Sequence, residues 1–480
     1  MNGRRLPSLL IAFPALALLA SACLTTGQEA QMGAAEAQKV EQTMGLVRDA
    51  KVDGYVRAIG QNLARVSERA EGTWSFLVVD RPEPNAFALP GGYVYVTRGL
   101  LALVNSEDEL AGVIGHEIAH VTARHSSKRI GAAIVTAPVA IAAGIAGFAV
   151  SIVSPFLGNI VSGTGQVLTQ GLVLAPFSRE QEHQADQIGQ DLAARAGYDP
   201  AGISTFLHTL SREVELYTGG KTSFHFFDSH PQTPDRVERT ARRAMQLTPG
   251  PARPVARGHS EFLARIEGIV VGEDPAQGLF EDSLFLHPEF DFAITFPLGW
   301  QTQNAATAVG AISPAKDALV ALRLAAQDTS VDDAVAEIQA EQKGLAFERF
   351  EIRGLPAART RVSGGGQIAD VILIGYRGDV FAVVGECAAG SARGYAKVFD
   401  TTARSFRALR RSERDSIRES RLRLTEARAG EKPPAVVERT RSSWDSQRLA
   451  IANGVKRDEP FRPGQRVKVA LPQPYTPRTQ

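Results

Sequence analysis

A chain of 480 residues with 44% hydrophobic composition is long enough for several cores and is expected to fold as more than one domain. Its 53 basic and 52 acidic residues leave a formal net charge of +1, which argues against a surface built for nucleic acid. Two cysteines in the whole chain exclude a disulfide framework.

Arg4 and Arg5 precede an apolar run from Leu9 to Ala20, followed by Ser21-Ala22-Cys23. Residues 1–22 read as an export signal, since the run is short for a bilayer span. The stretch resembles a bacterial lipobox, which implies lipid on Cys23, although Ala20 stands where leucine is commoner. By resemblance to bacterial lipoproteins, Leu24 in place of aspartate implies the outer membrane, so the expectation is a periplasmic, lipid-anchored protein. With Cys23 so used, Cys387 has no partner and reads as a small buried hydrophobe. Residues 23–40 read as a polar tether.

From 41 to 250 the pattern is mainly helical, with a helix around Asp53 to Ala70 and a strand near Trp74 to Val79. Ser106 and Glu109 form a capping box ahead of Leu110, Val113, Ile114, Ile118 and Val121, the apolar stripe of an amphipathic helix. On that helix lies His116-Glu117-Ile118-Ala119-His120. Positions i and i+4 share a face, so the two imidazoles can hold one metal ion with Glu117 beside it as general base. Hydrolytic zinc sites usually take three protein ligands and keep one position for water. A third histidine six residues after His120 is absent, because Ser126 is there, and helical spacing turns His125 off the ligand face.

Residues 130–178 carry no charge, and their first half is rich in Ala, Ile, Val and Gly. Pro138, Pro155 and many glycines interrupt the run, so it reads as an apolar hairpin that packs on the domain or dips into lipid, with 131–175 as a second membrane contact. A second helix opens at Ser178, with Gln181 as capping partner and Gly197 and Pro200 as the stop. Its Glu182 and Asp186 share a face. One can bind the metal while the other accepts the free ring N–H of a ligating histidine.

The paired motifs, His-Glu-Ile-Ala-His and then Ser-Arg-x-x-Glu-x-x-Ala-Asp, resemble the zinc metallopeptidase family of the CAAX prenyl protease, HtpX and BepA type. The likeness runs from about Val40 to Arg243. It implies a mainly α, zincin-like domain with a small β-sheet and one Zn2+ per chain. In it His116, His120 and Glu182 are ligands, Glu117 activates water and Asp186 orients a ligand. It also implies that Asn85, Ala86, Phe87 and Ala88 begin a strand beside the cleft that pairs with extended substrate. Ser229-His230-Pro231 and Arg236 resemble the segment supplying a histidine and an arginine near the metal. His230 would donate to the oxyanion or close onto the metal as a latch, with Arg236 bracing it.

Residues 251–285 read as a connector, and 286–410 as an α/β domain with a weak likeness to PsbP-like folds. There, Phe292–Pro297, Ala318–Leu324 and Val371–Gly375 read as strands and Val331–Lys343 as a helix. Arg410–Arg421 reads as a solvated mixed-charge run. Residues 422–472 resemble a LysM module, a strand–helix–helix–strand fold that binds peptidoglycan, through Ala429-Gly430-Glu431, Leu449–Val455 and Pro463–Val469. Pro433-Pro434 departs from the pattern at the first helix. The leading expectation is an endopeptidase acting on misfolded or misassembled envelope proteins. The alternative is a chaperone-like or peptidoglycan-associated scaffold lipoprotein whose metal site is latched.

Overall fold

Thr25 and Gln28 close a capping box that starts helix α1 at Thr26–Met44. This is seen in a computed structural model that describes residues 25–125, 176–217, 226–233, 235–251, 254–364 and 366–478. The expected export signal 1–22, Cys23 and the apolar segment 131–175 lie outside the described residues. α1 stands where the sequence reads as a tether. Its polar composition hides a stripe in which Ala37, Val40 and Met44 pack on Phe87, Leu89 and Tyr95. Gly33 permits the close approach, because a Cβ there would meet the Pro90 carbonyl oxygen at 1.8 Å.

Asp49 accepts from Lys51 and Val52 N–H and so opens α2, Ala50–Ala64, earlier and shorter than the pattern suggested. Strands β1 (Ser75–Val79), β2 (Ala86–Leu89) and β3 (Tyr93–Thr97) form a sheet in the order β1-β3-β2. The β1 pairing is parallel and the β2 pairing antiparallel. A short helix α3 (Arg98–Leu103) leads to α4 (Glu107–Thr122), capped as expected by Ser106 accepting from Glu109 N–H. Helices α5 (Arg179–Arg195), α6 (Gly202–Tyr217), α7 (Phe226–Ser229) and α8 (Arg236–Ala244) complete this part.

Two glycines let α4 and α5 touch through their backbones. A Cβ on Gly189 would meet His116 N at 2.8 Å, and one on Gly115 would meet the Gly189 carbonyl oxygen at 3.0 Å. That contact carries the Glu182 face of α5 onto the His116 face of α4. Gly189→Val is therefore expected to force the helices apart, costing about 1–3 kcal/mol and lowering metal affinity. Denaturant unfolding and metal titration check this; unchanged metal affinity would contradict it.

The connector is more structured than a linker. Helix α9 (His259–Ile266) buries Phe262, Leu263 and Ile266 in the same core as α2 and α4, and β4 (Val270–Val271) joins a sheet described below. The next domain starts at β5 (Leu279–Glu281) and β6 (Leu284–His287), ahead of the Phe290 region. With β7 (Phe292–Thr295) and β15 (Arg407–Ala408) they form a sheet in the order β15-β7-β6-β5. A larger antiparallel sheet runs β11-β12-β13-β14-β10-β9-β8, from β8 (Gln301–Ala305), β9 (Ala308–Ile312), β10 (Ala318–Ala326), β11 (Glu348–Ile352), β12 (Leu355–Gly364), β13 (Gln367–Tyr376) and β14 (Asp379–Ala388). Helix α10 (Val331–Glu341) packs on one face, and α11 (Ala392–Arg404) on the other. Cys387 is buried on the α11 side as a free thiol.

The mixed-charge run resolves into helix α12 (Arg411–Ser416) and the start of strand β16 (Arg418–Glu426). Then come α13 (Pro433–Thr440), α14 (Ser446–Ala452) and β17 (Arg466–Pro474), with strand order β17-β16-β4. Pro433 and Pro434 occupy the first turn of α13, where a missing N–H costs nothing. Leu422, Ile451 and Ala470 share the core of α2 and α4. The fully buried Lys468 ammonium donates to the carbonyls of Ala102, Leu103 and Val104 at 3.0, 3.3 and 2.7 Å, closing the C-terminal end of α3. Arg448 and Glu213 form a buried ion pair across this contact. Among the described residues, no helix is long and apolar enough to cross a membrane.

Candidate metal centre

One turn apart on α4, His116 and His120 present their Nε2 atoms 3.0 Å from each other, and both side chains are fully buried. Glu182, from the first turn of α5, places Oε1 3.3 Å from His120 Nε2 and Oε2 3.5 Å from His116 Nε2. His230, just past α7, brings Nδ1 to 3.2 Å from His116 Nε2 and 3.0 Å from Glu182 Oε1. All four ligand atoms lie within 4.8 Å of one another. Ligand arms of about 2.0–2.2 Å around a tetrahedral ion give edges of about 3.3–3.6 Å, so separations of 3.0–3.5 Å are close to those one small divalent ion needs.

The surroundings fix which nitrogens are free to ligate. His116 Nδ1 faces Asp186 Oδ1 at 3.1 Å, leaving Nε2 with its lone pair toward the cluster. Asp186 is held in turn by Arg236, which donates from Nε and Nη2 at 2.9 and 2.8 Å. The same guanidinium reaches Glu182 Oε2 at 2.8 Å and the His230 carbonyl at 3.4 Å. Arg236 thus clamps both acids of α5 and braces His230 through its backbone.

Burial opposes the charge on Asp186, yet Arg236 and His116 outweigh it and hold the carboxyl down at about 2. Burial likewise opposes the Glu182 charge, but His230 and His120 hold that carboxyl well below its usual range. For His120 burial wins, driving the ring well below the usual imidazole range and leaving it neutral, as a ligand must be. For His116 burial is overcome by Asp186 and Glu182, which raise it.

Glu117 lies beside the cluster, fully buried, with His230 Nε2 3.3 Å from Oε1. Burial pushes its carboxyl up, with His230 and His116 opposing. Neither Glu117 oxygen has a hydrogen-bond donor among the described residues. Three buried carboxylates, Glu117, Glu182 and Asp186, therefore share the site with one fully buried guanidinium, with Arg239 approaching Asp186 only at 3.7 Å from the rim. A divalent cation bound here would supply the missing positive charge.

Strand β2 packs against α4, and Asn85 N–H donates to Thr97 Oγ1 at 2.9 Å to fix its start. Asn85, Ala86, Phe87 and Ala88 are all buried. Two aromatic supports escaped the sequence reading. Phe177 stacks on His120 with centroids 3.9 Å apart, and Phe226 stacks on His230 at 4.2 Å. No spacing rule links them to their histidines. His125 lies outside the cluster of four but touches His120 from behind at 3.0 Å, carried there by a turn after the end of α4 rather than by helical spacing.

Residues 50–244 match Peptidase family M48. This region is an M48 peptidase domain. The match spans α2 to α8 and contains all four clustered residues. The M48 assignment implies a metal, in keeping with the donor set. The chain is 28% identical to the beta-barrel assembly-enhancing protease of Escherichia coli (strain K12) over 237 residues, 49% of this chain and 48% of that one. It is 29% identical to a putative beta-barrel assembly-enhancing protease of Vibrio cholerae over 263 residues, 54% of this chain and 53% of that one. With the mitochondrial metalloendopeptidase OMA1 of Schizosaccharomyces pombe it shares 33% identity over 186 residues, 38% of this chain and 51% of that one. The chain spans about half the length of these curated relatives. Among solved structures, 27% of the chain aligns with 95% of cyanobacterial PsbP from Synechocystis at 14% identity, with a TM-score of 0.23, too slight a likeness to bear on function.

Proposed function

We propose that the protein is a zinc-dependent endopeptidase of the bacterial envelope, acting on misfolded or misassembled envelope proteins. The observation that carries the reading is the convergence of His116, His120 and Glu182 with Glu117 alongside. Zinc, when bound, lowers the pKa of its water and polarises a substrate carbonyl. Glu117 takes the proton of the attacking water and returns it to the leaving amine. Asp186 and Arg236 hold the ligands in register. The segment Asn85–Ala88 is the element we assign to pairing with an extended substrate backbone. Export and lipid attachment at Cys23 rest on the N-terminal sequence pattern, with the outer membrane as the destination. Peptidoglycan as a partner rests on the LysM-like motifs of 422–472.

A second reading has its own observation. His230 completes a four-donor set, and a closed set leaves no position for water. In that state the protein would act as a scaffold or holdase and cleave rarely. Cleavage of a denatured protein by the signal-free chain, abolished by a chelator and restored by zinc, tests the endopeptidase. His230→Ala is expected to raise the rate several-fold by opening the fourth position, while weakening zinc retention. If His230→Ala is instead as inactive as a Glu117 variant, His230 serves the reaction and is not a latch.

A further inference from the structure

The cluster holds its two α4 histidines differently. His116 leans on a carboxylate, Asp186, which only accepts hydrogen bonds and so dictates where the ring proton sits. Behind His120 stands another imidazole, which can accept or donate. After Thr122 the chain leaves α4 through Arg124 at φ 59, a left-handed turn that folds His125 back against the helix. His125 is buried, at 1% exposure, and its Nδ1 lies 3.0 Å from His120 Nδ1. Its Nε2 lies 3.0 Å from Gln184 Oε1 on α5.

With both rings neutral, these three groups allow two proton arrangements. In the first, His120 Nδ1–H donates to His125 Nδ1 and His125 Nε2–H donates to the Gln184 carbonyl oxygen, so His120 Nε2 carries a lone pair. In the second, the Gln184 amide is turned and donates to His125 Nε2, His125 donates from Nδ1, and His120 must keep its proton on Nε2. Only the first lets His120 bind a metal. We propose that Gln184 and His125 are positioning residues that set the His120 tautomer, so that the acceptor offered by an exposed side chain on α5 decides whether a buried ligand on α4 is competent. This rests on the metallopeptidase reading above, in which His120 is a ligand. A supporting group of this kind changes metal affinity by about 10- to 100-fold.

Gln184 is solvent-exposed, so its substitution tests the idea without disturbing the core. Zinc dissociation constants of the full chain are measured by competition with a chromophoric chelator. Gln184→Glu, an obligate acceptor, is expected to bind zinc at least as tightly as wild type. Gln184→Lys, an obligate donor, and His125→Phe, which removes the acceptor, are expected to bind about 10- to 100-fold more weakly. Gln187→Lys, one turn along the same helix and bonded to His183 instead, is the control for added charge and should match wild type. Nitrogen-15 shifts of the His120 ring should show the proton on Nδ1 in wild type and a loss of that preference in Gln184→Lys. If wild type binds zinc while Gln184→Lys and His125→Phe bind it equally well, or if Gln187→Lys is weakened as much as Gln184→Lys, the inference is overturned. If wild type binds no zinc at all, the metallopeptidase reading fails first.

Discussion

Glu117→Gln is expected to keep one metal ion per chain and to lose cleavage of a denatured protein by about 100- to 10,000-fold, the usual contribution of a positioned general base. The substitution is close to isosteric and leaves all four clustered donors in place. What it removes is the one buried carboxylate beside the cluster that makes no contact with Arg236 in the way Glu182 and Asp186 do. Metal content and rate must therefore separate. A variant that cleaves within a few-fold of wild type would show that proton transfer runs through another group. A variant that rescues envelope defects as fully as wild type would favour the scaffold reading.

Arg236→Met should produce the largest loss of stability. The guanidinium is fully buried and is the shared partner of Glu182 and Asp186. Removing one member of a buried charge network leaves the others uncompensated and costs about 3–5 kcal/mol. Denaturant unfolding of the metal-free chain would read this directly. Added zinc should recover part of the loss, because the cation neutralises the same carboxylates. Arg236→Lys is expected to help little, since an ammonium cannot make the paired contacts to Asp186 while reaching Glu182. A change below about 0.5 kcal/mol, the range of ordinary surface substitutions, would show that the clamp has no energetic role.

Local patterns in the sequence were the readable part. The α4 cap at Ser106, its apolar stripe and the i, i+4 histidines all depend on neighbours within a few residues, and the structure repeats them. The joining of α4 to α5 was not readable from spacing, because it depends on Gly115 and Gly189 meeting across 74 positions of sequence. A family resemblance had to supply it. Helix α1 passed for a tether because its buried stripe is made largely of small residues among many polar ones. Helix α9 passed for connector because the prolines before it signal a break more loudly than eight residues signal a helix. His125 was set aside on helical spacing, yet α4 ends at Thr122, and its contact with His120 depends on the backward turn at Arg124, a conformation that no residue type there announces. Lys468 offered no warning either, since its partners are backbone carbonyls more than 360 residues earlier.

The central claim is that His116, His120 and Glu182 hold one divalent ion. Zinc content of the purified chain without residues 1–22, measured beside Glu182→Gln after identical dialysis, tests it most directly. One zinc per wild-type chain and a clear deficit in the variant is the expected result. A wild-type chain that carries no zinc and takes up none on titration would contradict the account.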